Sequence, residues 1–167
     1  GAFAALKGDG SVVTWGESAF GGKLAEQEKL QNVEAIQSTL YAFAALLSDG
    51  HVVTWGDANN GGDSGHVQPL LSEVVAIQAT EKAFAAIRRD GVVIAWGDEH
   101  RGGDCSAVQP YLQQVSAIQA STSAFAAISD AGVVTWGDPA CGGDSSCVKD
   151  QLKDVKQIQA TCAAFAA

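Results

Sequence analysis

Pairs of aspartates recur along the sequence at a spacing that could hold a metal ion or cap a turn. In three places two aspartates stand six residues apart around a glycine pair: Asp57 and Asp63, Asp98 and Asp104, and Asp138 and Asp144. Calcium prefers such hard oxygen ligands on a turning backbone. The first copy of the pattern has Glu17 and Lys23 instead, and the spacing differs from that of a DxDxDG loop. Because aspartate also caps turns through its side-chain oxygen, we predict turn capping, with calcium binding as the alternative.

No arrangement of residues typical of an enzyme is visible in the sequence. The histidines His51, His66 and His100 occupy different positions, and no His-Glu-x-x-His pair is present. A serine or cysteine nucleophile needs a base and an orienting acid, and the sequence has no Gly-x-Ser-x-Gly elbow. It also has no Walker loop and no dinucleotide-binding fingerprint. We therefore predict a protein that is not an enzyme and that binds no cofactor.

The cysteines follow no regular pattern. They are Cys105, Cys141, Cys147 and Cys162, and none recurs from one repeat to the next. A zinc site or a disulfide framework would need a regular, paired spacing. We predict free thiols, with a bridge between Cys141 and Cys147 across one loop as the alternative.

Composition limits the partners that the chain can have. Its net charge is −9, from nineteen acidic and ten basic side chains, and the basic residues do not cluster. Nucleic acid repels such a chain, so we predict no nucleic-acid partner. No apolar stretch approaches the roughly 18 residues of a membrane span, so we predict no direct membrane insertion. Because the sequence begins at Gly1 and contains no methionine, we expect a processed or excerpted piece, and its compartment is not predicted.

The sequence elements that carry these residues repeat with a period of about 40 residues. The period is marked by Phe3, Phe43, Phe84, Phe125 and Phe165, and by Trp15, Trp55, Trp96 and Trp136. It defines units at residues 2–41, 42–82, 83–123 and 124–163, and the start of a fifth unit at 164–167. A chain of 167 residues that is 47% hydrophobic suits one domain, so we predict a single repeat domain over residues 1–167.

Each unit is predicted to be a small antiparallel sheet. The stretch "VEAIQST" (33–39) alternates and carries β-branched residues, and "YAFAALL" (41–47) follows after a tight connection. The Asp-Gly of "SDG" (48–50) is a strong hairpin signal, and "HVVTWG" (51–56) is the returning strand. The glycine-rich remainder, which contains Pro69, is predicted to be a short outer strand or a single turn. The chain is therefore predicted to be all-β, built of tandem three- to four-stranded antiparallel sheets.

Sheets this small cannot bury both faces alone, so neighbouring units must complete each core. The alanines of "AFAA" let neighbouring sheets approach closely, and the aromatic side chains fill the wider space between them. The predicted core comprises Phe3, Trp15, Phe43, Trp55, Phe84, Trp96, Phe125 and Trp136. A glutamine locked to the same period inside an apolar strand is predicted to bond to a neighbouring unit's backbone. These glutamines are Gln37, Gln78, Gln119 and Gln159.

These motifs resemble those of a known repeat family. "AFAALLSDGHVVTWGDANNGGDS" (42–64) and "VQPLLSEVVAIQA" (67–79) resemble the repeat of the regulator of chromosome condensation family, and the resemblance covers all 167 residues. It implies a β-propeller with four-stranded blades, usually seven of them. The unit here is shorter and is more similar to the blades of the secreted β-lactamase-inhibitor propeller. Four units and a fragment predict a partial β-propeller or an open stacked array.

Varied loops on a repeated frame predict a binding function. We predict a non-catalytic protein–protein interaction scaffold, or an accessory subunit of a large multi-protein assembly, including a membrane-associated one. The candidate contact residues lie where the units differ, and they are Phe20, Asn59, Asn60, His100 and Arg101. The family resemblance implies, as an alternative, a regulator that catalyses nucleotide exchange on a small GTPase. The short-bladed propellers imply an enzyme inhibitor as a further alternative.

Overall fold

The computed structural model describes residues 1–24 and 30–167, and it confirms the prediction of an all-β chain. Within these residues, small antiparallel sheets of two or three strands follow one another along the sequence. The strands are β1 (Ala2–Leu6), β2 (Val12–Gly16), β3 (Val33–Ser38), β4 (Ala42–Leu47), β5 (Val52–Gly56), β6 (Val74–Ala79), β7 (Ala83–Arg88), β8 (Val93–Gly97), β9 (Ala117–Ala120), β10 (Ala124–Ser129), β11 (Gly132–Gly137), β12 (Gln159–Ala160) and β13 (Phe165–Ala166). They pair as β1–β2, β3–β4–β5, β6–β7–β8, β9–β10–β11 and β12–β13, so the larger described sheets have three strands.

The Asp-Gly sequence forms the hairpin between the second and third strands of a sheet. Between β4 and β5, the Gly50 N–H donates to the Leu47 carbonyl at 2.9 Å. The Asp49 carboxylate accepts a hydrogen bond from the His51 N–H at 3.0 Å and so closes the turn. The resulting register places one phenylalanine opposite one tryptophan in each hairpin: Phe3 and Trp15, Phe43 and Trp55, Phe84 and Trp96, and Phe125 and Trp136.

The connection from one sheet to the next contains short 3₁₀ turns where a strand or a turn was expected. After β5 these turns are Ala58–Asn60 and Gln68–Leu70, and Pro69 lies in the first turn of the second one. The equivalent described turns are Ser18–Phe20, Glu99–Arg101, Gln109–Tyr111, Pro139–Cys141 and Ser146–Gln151. In the described part of the chain, no helix has the length and hydropathy needed to cross a bilayer.

The hydrophobic core lies between successive sheets. The side chains of Phe84, Trp96 and Phe125 are fully buried. One buried cluster joins strands β7 and β8 to Phe125 and Trp136, which belong to the next sheet. A second cluster joins β4 to Phe84 and Trp96 in the same way. Each sheet therefore buries the aromatic pair of the sheet that follows it.

The first sheet departs from the predicted core. Phe3 is 61% exposed and Trp15 is 50% exposed, although both were predicted to be core residues. Their rings still stack, with centroids 5.4 Å apart. The prediction was wrong for these two residues because no described sheet lies on the outer side of β1 and β2. The stacking of the two rings depends on contacts within one unit, whereas their burial depends on the neighbouring unit.

Backbone hydrogen bonds join each unit to the next at one repeated position. The Leu40 N–H donates to the Glu81 carbonyl at 2.9 Å, and the Glu81 N–H donates to the Thr122 carbonyl at 3.0 Å. The Thr122 N–H in turn donates to the Cys162 carbonyl at 3.0 Å. We call this row the backbone ladder. It runs the length of the array and uses no side-chain atom.

A second contact links three of the hairpin turns to an unusual backbone conformation just before the next sheet. The Val74 N–H donates to the Gly50 carbonyl at 2.9 Å. The preceding residue, Glu73, has φ +55°, in the left-handed region that glycine and asparagine favour. The same conformation recurs at Asn32, Gln114 and Asp154. Backbone atoms of Glu73 lie nearest to Gly50, and the four residues at this position are all polar.

Candidate interaction surface

The turn after each tryptophan strand has the same backbone in every described unit. In the second unit, Asp57 precedes the 3₁₀ turn, and its carboxylate accepts hydrogen bonds from the N–H groups of Asn59 and Asn60. Gly61 ends the turn with φ +94°. The turns capped by Asp98 and Asp138 have the same cap geometry, with different side chains between cap and glycine. The repeat therefore presents different side chains on one fixed frame.

The six aspartates that were calcium candidates are engaged with their own turns. Each carboxylate accepts a hydrogen bond from the backbone N–H two residues later, at 2.8–3.0 Å. Such bonds stabilise the ionised form, and they lower the pKa of Asp104 and Asp144 below its ordinary value. Among residues 1–24 and 30–167, no three metal-ligating side chains come close enough to share an ion. The geometry is that of turn capping.

The first glycine of each pair is a partner of the next unit's aromatic residues. The Trp55 Nε1 donates to the Gly21 carbonyl at 3.1 Å, and the Trp96 Nε1 donates to the Gly61 carbonyl at 3.1 Å. The Trp136 Nε1 donates to the Gly102 carbonyl at 3.0 Å. A Cβ on Gly102 would lie 2.6 Å from a ring carbon of the next phenylalanine, so any larger residue would clash. We call this contact the indole–glycine joint.

Two sets of segments differ between units: the turns after the tryptophan strands and the segments just before the "AFAA" strands. Both sets lie on one face of the array. The Thr39 hydroxyl, in the segment before one "AFAA" strand, donates to the Asn60 carbonyl in the turn after β5 at 3.2 Å. Thr80 contacts the Arg101 carbonyl in the same way at 3.0 Å, and Ser121 contacts the Cys141 carbonyl at 2.8 Å. We call this surface the variable face. The Asp-Gly hairpins lie at the opposite ends of the strands.

The predicted contact residues divide into two groups on the variable face. Asn59 and His100 are exposed. The other three are half-buried against their own chain: the Phe20 ring packs edge-on against Tyr41 with centroids 5.0 Å apart, and the Asn60 amide bonds to the cap carboxylate at 2.8 Å. Arg101 donates to the hydroxyl of Ser123, the residue just before β10 of the next sheet. Phe20 and Arg101 thus contact residues beside the next sheet, Asn60 supports its own turn, and the two residues before each of them face solvent.

The glutamines that bond to the backbone are not the predicted ones. Gln68 donates through Nε2 to the Val52 carbonyl at 3.0 Å and accepts from the Ser64 hydroxyl at 2.7 Å. Gln109 bonds to β8 in the same way at 3.2 Å. Within the described residues, no side-chain hydrogen bond is formed by Gln37, Gln78 or Gln119. The signal for the correct residues was the Gln-Pro dipeptide, which recurs in two units.

The cysteines are free thiols, and the predicted alternative of a Cys141–Cys147 bridge is not formed. Cys105 is buried beside β8, and burial raises its pKa to about 11. Its thiol donates to the Gln109 side chain at 3.1 Å, which is the place that a serine hydroxyl takes in the preceding unit. A thiol held protonated in this way is a packing group and a poor nucleophile.

Comparison with known proteins identifies the fold. No protein-family model and no curated protein matches the sequence. A structure of Prp20p from Saccharomyces cerevisiae matches with 17% identity over 81% of this chain and 43% of that one, at a TM-score of 0.55. Yeast RCC1 (Prp20) bound to Kap60 matches with 20% identity over 81% and 41%, at a TM-score of 0.57. Human WBSCR16 matches with 19% identity over 92% and 48%, at a TM-score of 0.59.

These likenesses concern the architecture and only part of each known structure. The chain spans less than half the length of the solved structures it matches. The resemblance predicted from the repeated Phe, Asp-Gly and Trp-Gly motifs is thus confirmed at the level of structure, and the chain has the RCC1 repeat-type β-propeller fold.

Proposed function

We propose that this protein is a non-catalytic scaffold that binds another protein through the variable face. The observation that carries the proposal is the row of capped turns, which have one backbone geometry and different exposed side chains in each unit. A rigid frame with varied loops is a common design for protein recognition. The exposed turn positions change from Asn59 to His100 to Ala140 along the row, so each unit offers a different chemistry.

The solved structures give an independent reason to propose protein binding. Prp20p is described with its binding to Gsp1p and histones, and yeast RCC1 (Prp20) is seen with Kap60 bound. The fold is therefore used elsewhere to bind proteins. The acidic balance of this chain, with a net charge of −9, favours a partner whose contact surface is basic or neutral.

The experiment compares two charge-matched variants in affinity capture. Asn59→Arg with Ala140→Arg changes the variable face, and Ser48→Arg with Ala131→Arg makes the same charge change at exposed hairpin turns. We expect the wild type and the hairpin variant to retain the same partner and the variable-face variant to lose it. Retention by the variable-face variant, or no partner at any salt concentration, would contradict the proposal.

Nucleotide exchange on a small GTPase is the second candidate, and the likeness to RCC1 (Prp20) is what favours it. It would be tested by following release of labelled GDP from a panel of small GTPases with and without the protein. Under our proposal the release rate stays at its intrinsic value. If the protein raises the rate of GDP release and the variable-face variant does not, the protein is an exchange factor that uses the same surface, and the scaffold proposal is wrong.

A further inference from the structure

Two grooves lie inside the array, where the outer connection of one unit faces the hairpin of the next. The first groove has a volume of about 660 Å³, and Val67 and Leu70 line it together with Ile94 of β8. The second has a volume of about 670 Å³ and is lined by Val108 and by Trp136 of β11. The same pair of elements thus forms a groove at two successive joints.

The two grooves meet at one place in the third unit. Glu99, Asp104 and Cys105 line both of them, so the grooves are continuous. We call the combined groove the rim groove. His100 and Pro139, which belong to turns of the variable face, also line it, so the rim groove borders that face. A groove that crosses two successive joints suits an extended segment of polypeptide.

The charges that line the rim groove do not balance. They belong to Glu99, Asp104, Asp138 and Arg101. Arg101 lies 3.8 Å from the Asp138 carboxylate and compensates its charge. Glu99 is exposed, and its ion-pair partner is the His100 imidazole at 3.5 Å, which is charged only when protonated. Asp104 is also exposed and accepts a hydrogen bond from the backbone of its own turn. The meeting point of the two grooves therefore carries two uncompensated carboxylates among the described residues.

Apolar side chains flank these carboxylates on both sides. Leu70 is 47% exposed in the first groove, and Val67 and Val108 are half-buried in the first and second grooves. A lysine or arginine side chain joins an apolar stem to a charged end. Its stem can pack on these walls while its cation lies beside Glu99 and Asp104.

We propose that the rim groove binds an extended segment of the partner protein in which a lysine or arginine is flanked by apolar residues. The basic side chain pairs with Glu99 and Asp104, and its apolar neighbours pack on the walls that contain Leu70 and Val108. Charge complementarity to the two carboxylates selects this occupant. The inference rests on the proposed scaffold function and names the part of the partner that the array recognises.

The test is a titration of the whole protein with the peptide Ser-Val-Arg-Val-Ser, blocked at both ends, followed by backbone amide shifts in solution NMR. We expect saturable shifts at residues that line the rim groove, and binding that weakens as the salt concentration rises. Glu99→Gln with Asp104→Asn should weaken binding by about 10-fold, the effect of losing charge-assisted hydrogen bonds. Asparagine keeps an acceptor oxygen for the turn at residue 104.

The matched control is Glu73→Gln with Asp49→Asn, which makes the same two substitutions at the hairpin ends of the strands. Asp49 likewise accepts from the N–H two residues later, at 3.0 Å, and Glu73 is exposed beside that hairpin. This variant should bind the peptide as the wild type does. Equal weakening in the two variants would show attraction to the acidic chain as a whole and would overturn the proposal.

A second pair of variants tests the apolar wall. Leu70→Ala should weaken binding by about 3-fold, because it removes part of the surface on which the segment packs. Leu40→Ala is the control, since Leu40 is 54% exposed and lines neither groove. Equal effects of the two substitutions would overturn the placement of the segment in the rim groove. Far-ultraviolet circular dichroism confirms that each variant is folded.

The remaining outcomes separate this inference from the scaffold proposal. A peptide with glutamate in place of arginine should not bind, and equal binding of the two peptides would overturn the charge assignment. If affinity capture recovers a partner that the variable-face variant loses, but the arginine peptide shifts no residue of the rim groove, the scaffold proposal stands and this inference is wrong. If the peptide binds as expected and no partner is captured, the groove is a peptide site and the scaffold proposal is wrong.

Discussion

The first sheet and the third sheet contain the same motif in different surroundings. Phe3 stacks on Trp15 with centroids 5.4 Å apart, and Phe84 stacks on Trp96 with centroids 5.3 Å apart. Trp15 is nonetheless half-exposed, and Trp96 is 0% exposed because the glycine turn of the preceding unit covers it. The comparison shows that the hairpin arranges its aromatic pair unaided. We therefore expect the buried pair of the third sheet to contribute more to the free energy of unfolding than the exposed pair of the first sheet.

The largest expected difference between the two sheets follows removal of the tryptophan. Trp96→Ala should lower the free energy of unfolding by about 3–5 kcal/mol, because it leaves a cavity in the core and removes the partner of the Gly61 carbonyl. Trp15→Ala should lower it by less than about 1 kcal/mol, since the side chain gives up little buried surface. Urea denaturation at a concentration where the protein is monomeric measures both values. Equal losses would show that burial by the neighbour does not set the stability of the sheet.

Adding a methyl group at the joint should have the next largest effect. Gly102 and Gly142 have φ +95° and +94°, and a Cβ on either would lie 2.6 Å from a phenylalanine ring. Gly102→Ala should cost about 2–4 kcal/mol, from backbone strain together with overpacking against the buried Phe125.

Gly142→Ala is the matched control for this substitution. It should cost about 1–2 kcal/mol, because the half-exposed Phe165 can move aside and only the backbone strain remains. Thermal unfolding of the two variants gives the difference. Identical losses would mean that backbone strain alone explains both, and that the packing of the interior joint contributes nothing.

Loss of a turn cap should have a smaller effect that again differs between units. Asp98 accepts from the His100 N–H at 3.0 Å, whereas the equivalent Glu17 accepts from the Ala19 N–H at 3.4 Å. Asp98→Ala should cost about 1 kcal/mol and Glu17→Ala close to nothing. The melting temperature of the wild type should not respond to calcium. A calcium-dependent increase that Asp98→Ala removes would revive the metal-binding hypothesis.

The smallest expected effect is the pH dependence from exposed turn carboxylates. Hydrogen bonds from Ser11 lower the pKa of Asp9 to about 2, and the backbone N–H of Ser106 lowers the pKa of Asp104. A lowered pKa in the folded state contributes stability above the unfolded value of about 3.9, which is lost as the pH falls through the folded value. The free energy of unfolding should therefore decline between about pH 4 and about pH 2.

The variant Asp9→Asn tests this assignment. It should flatten the decline more than Asp104→Asn does, because Asp9 has the larger shift. Urea denaturation at several pH values gives the slope. A slope that neither substitution changes would assign the acid sensitivity to other groups.

The parts of the fold that depend on local sequence were predictable. Asp-Gly between apolar runs predicted the hairpin at Asp49 and Gly50, and the recurrence of residues such as Phe43 and Trp55 about every 40 residues predicted the tandem sheets. Turn capping by Asp57 was predictable as well, because an aspartate bonds to the N–H two residues later without help from the rest of the chain.

The parts that depend on neighbours were not predictable from one unit's sequence. The exposure of Trp15 depends on what lies outside its sheet, and the sequence of that sheet is the same either way. Phe20 and Arg101 vary between units, yet both contact residues beside the next sheet, Tyr41 and Ser123, which also vary between units. The left-handed backbone of Glu73 carries no sequence signal, since glycine and asparagine are the residues that normally mark it.

The backbone ladder through Leu40, Glu81, Thr122 and Cys162 has a consequence for how such a chain can evolve. Because main-chain atoms alone make these bonds, a unit copied or deleted in the gene meets its new neighbour with the same donors and acceptors. Side chains at the ladder positions are then free to diverge after duplication. An array that gains or loses whole units therefore keeps the backbone ladder unbroken.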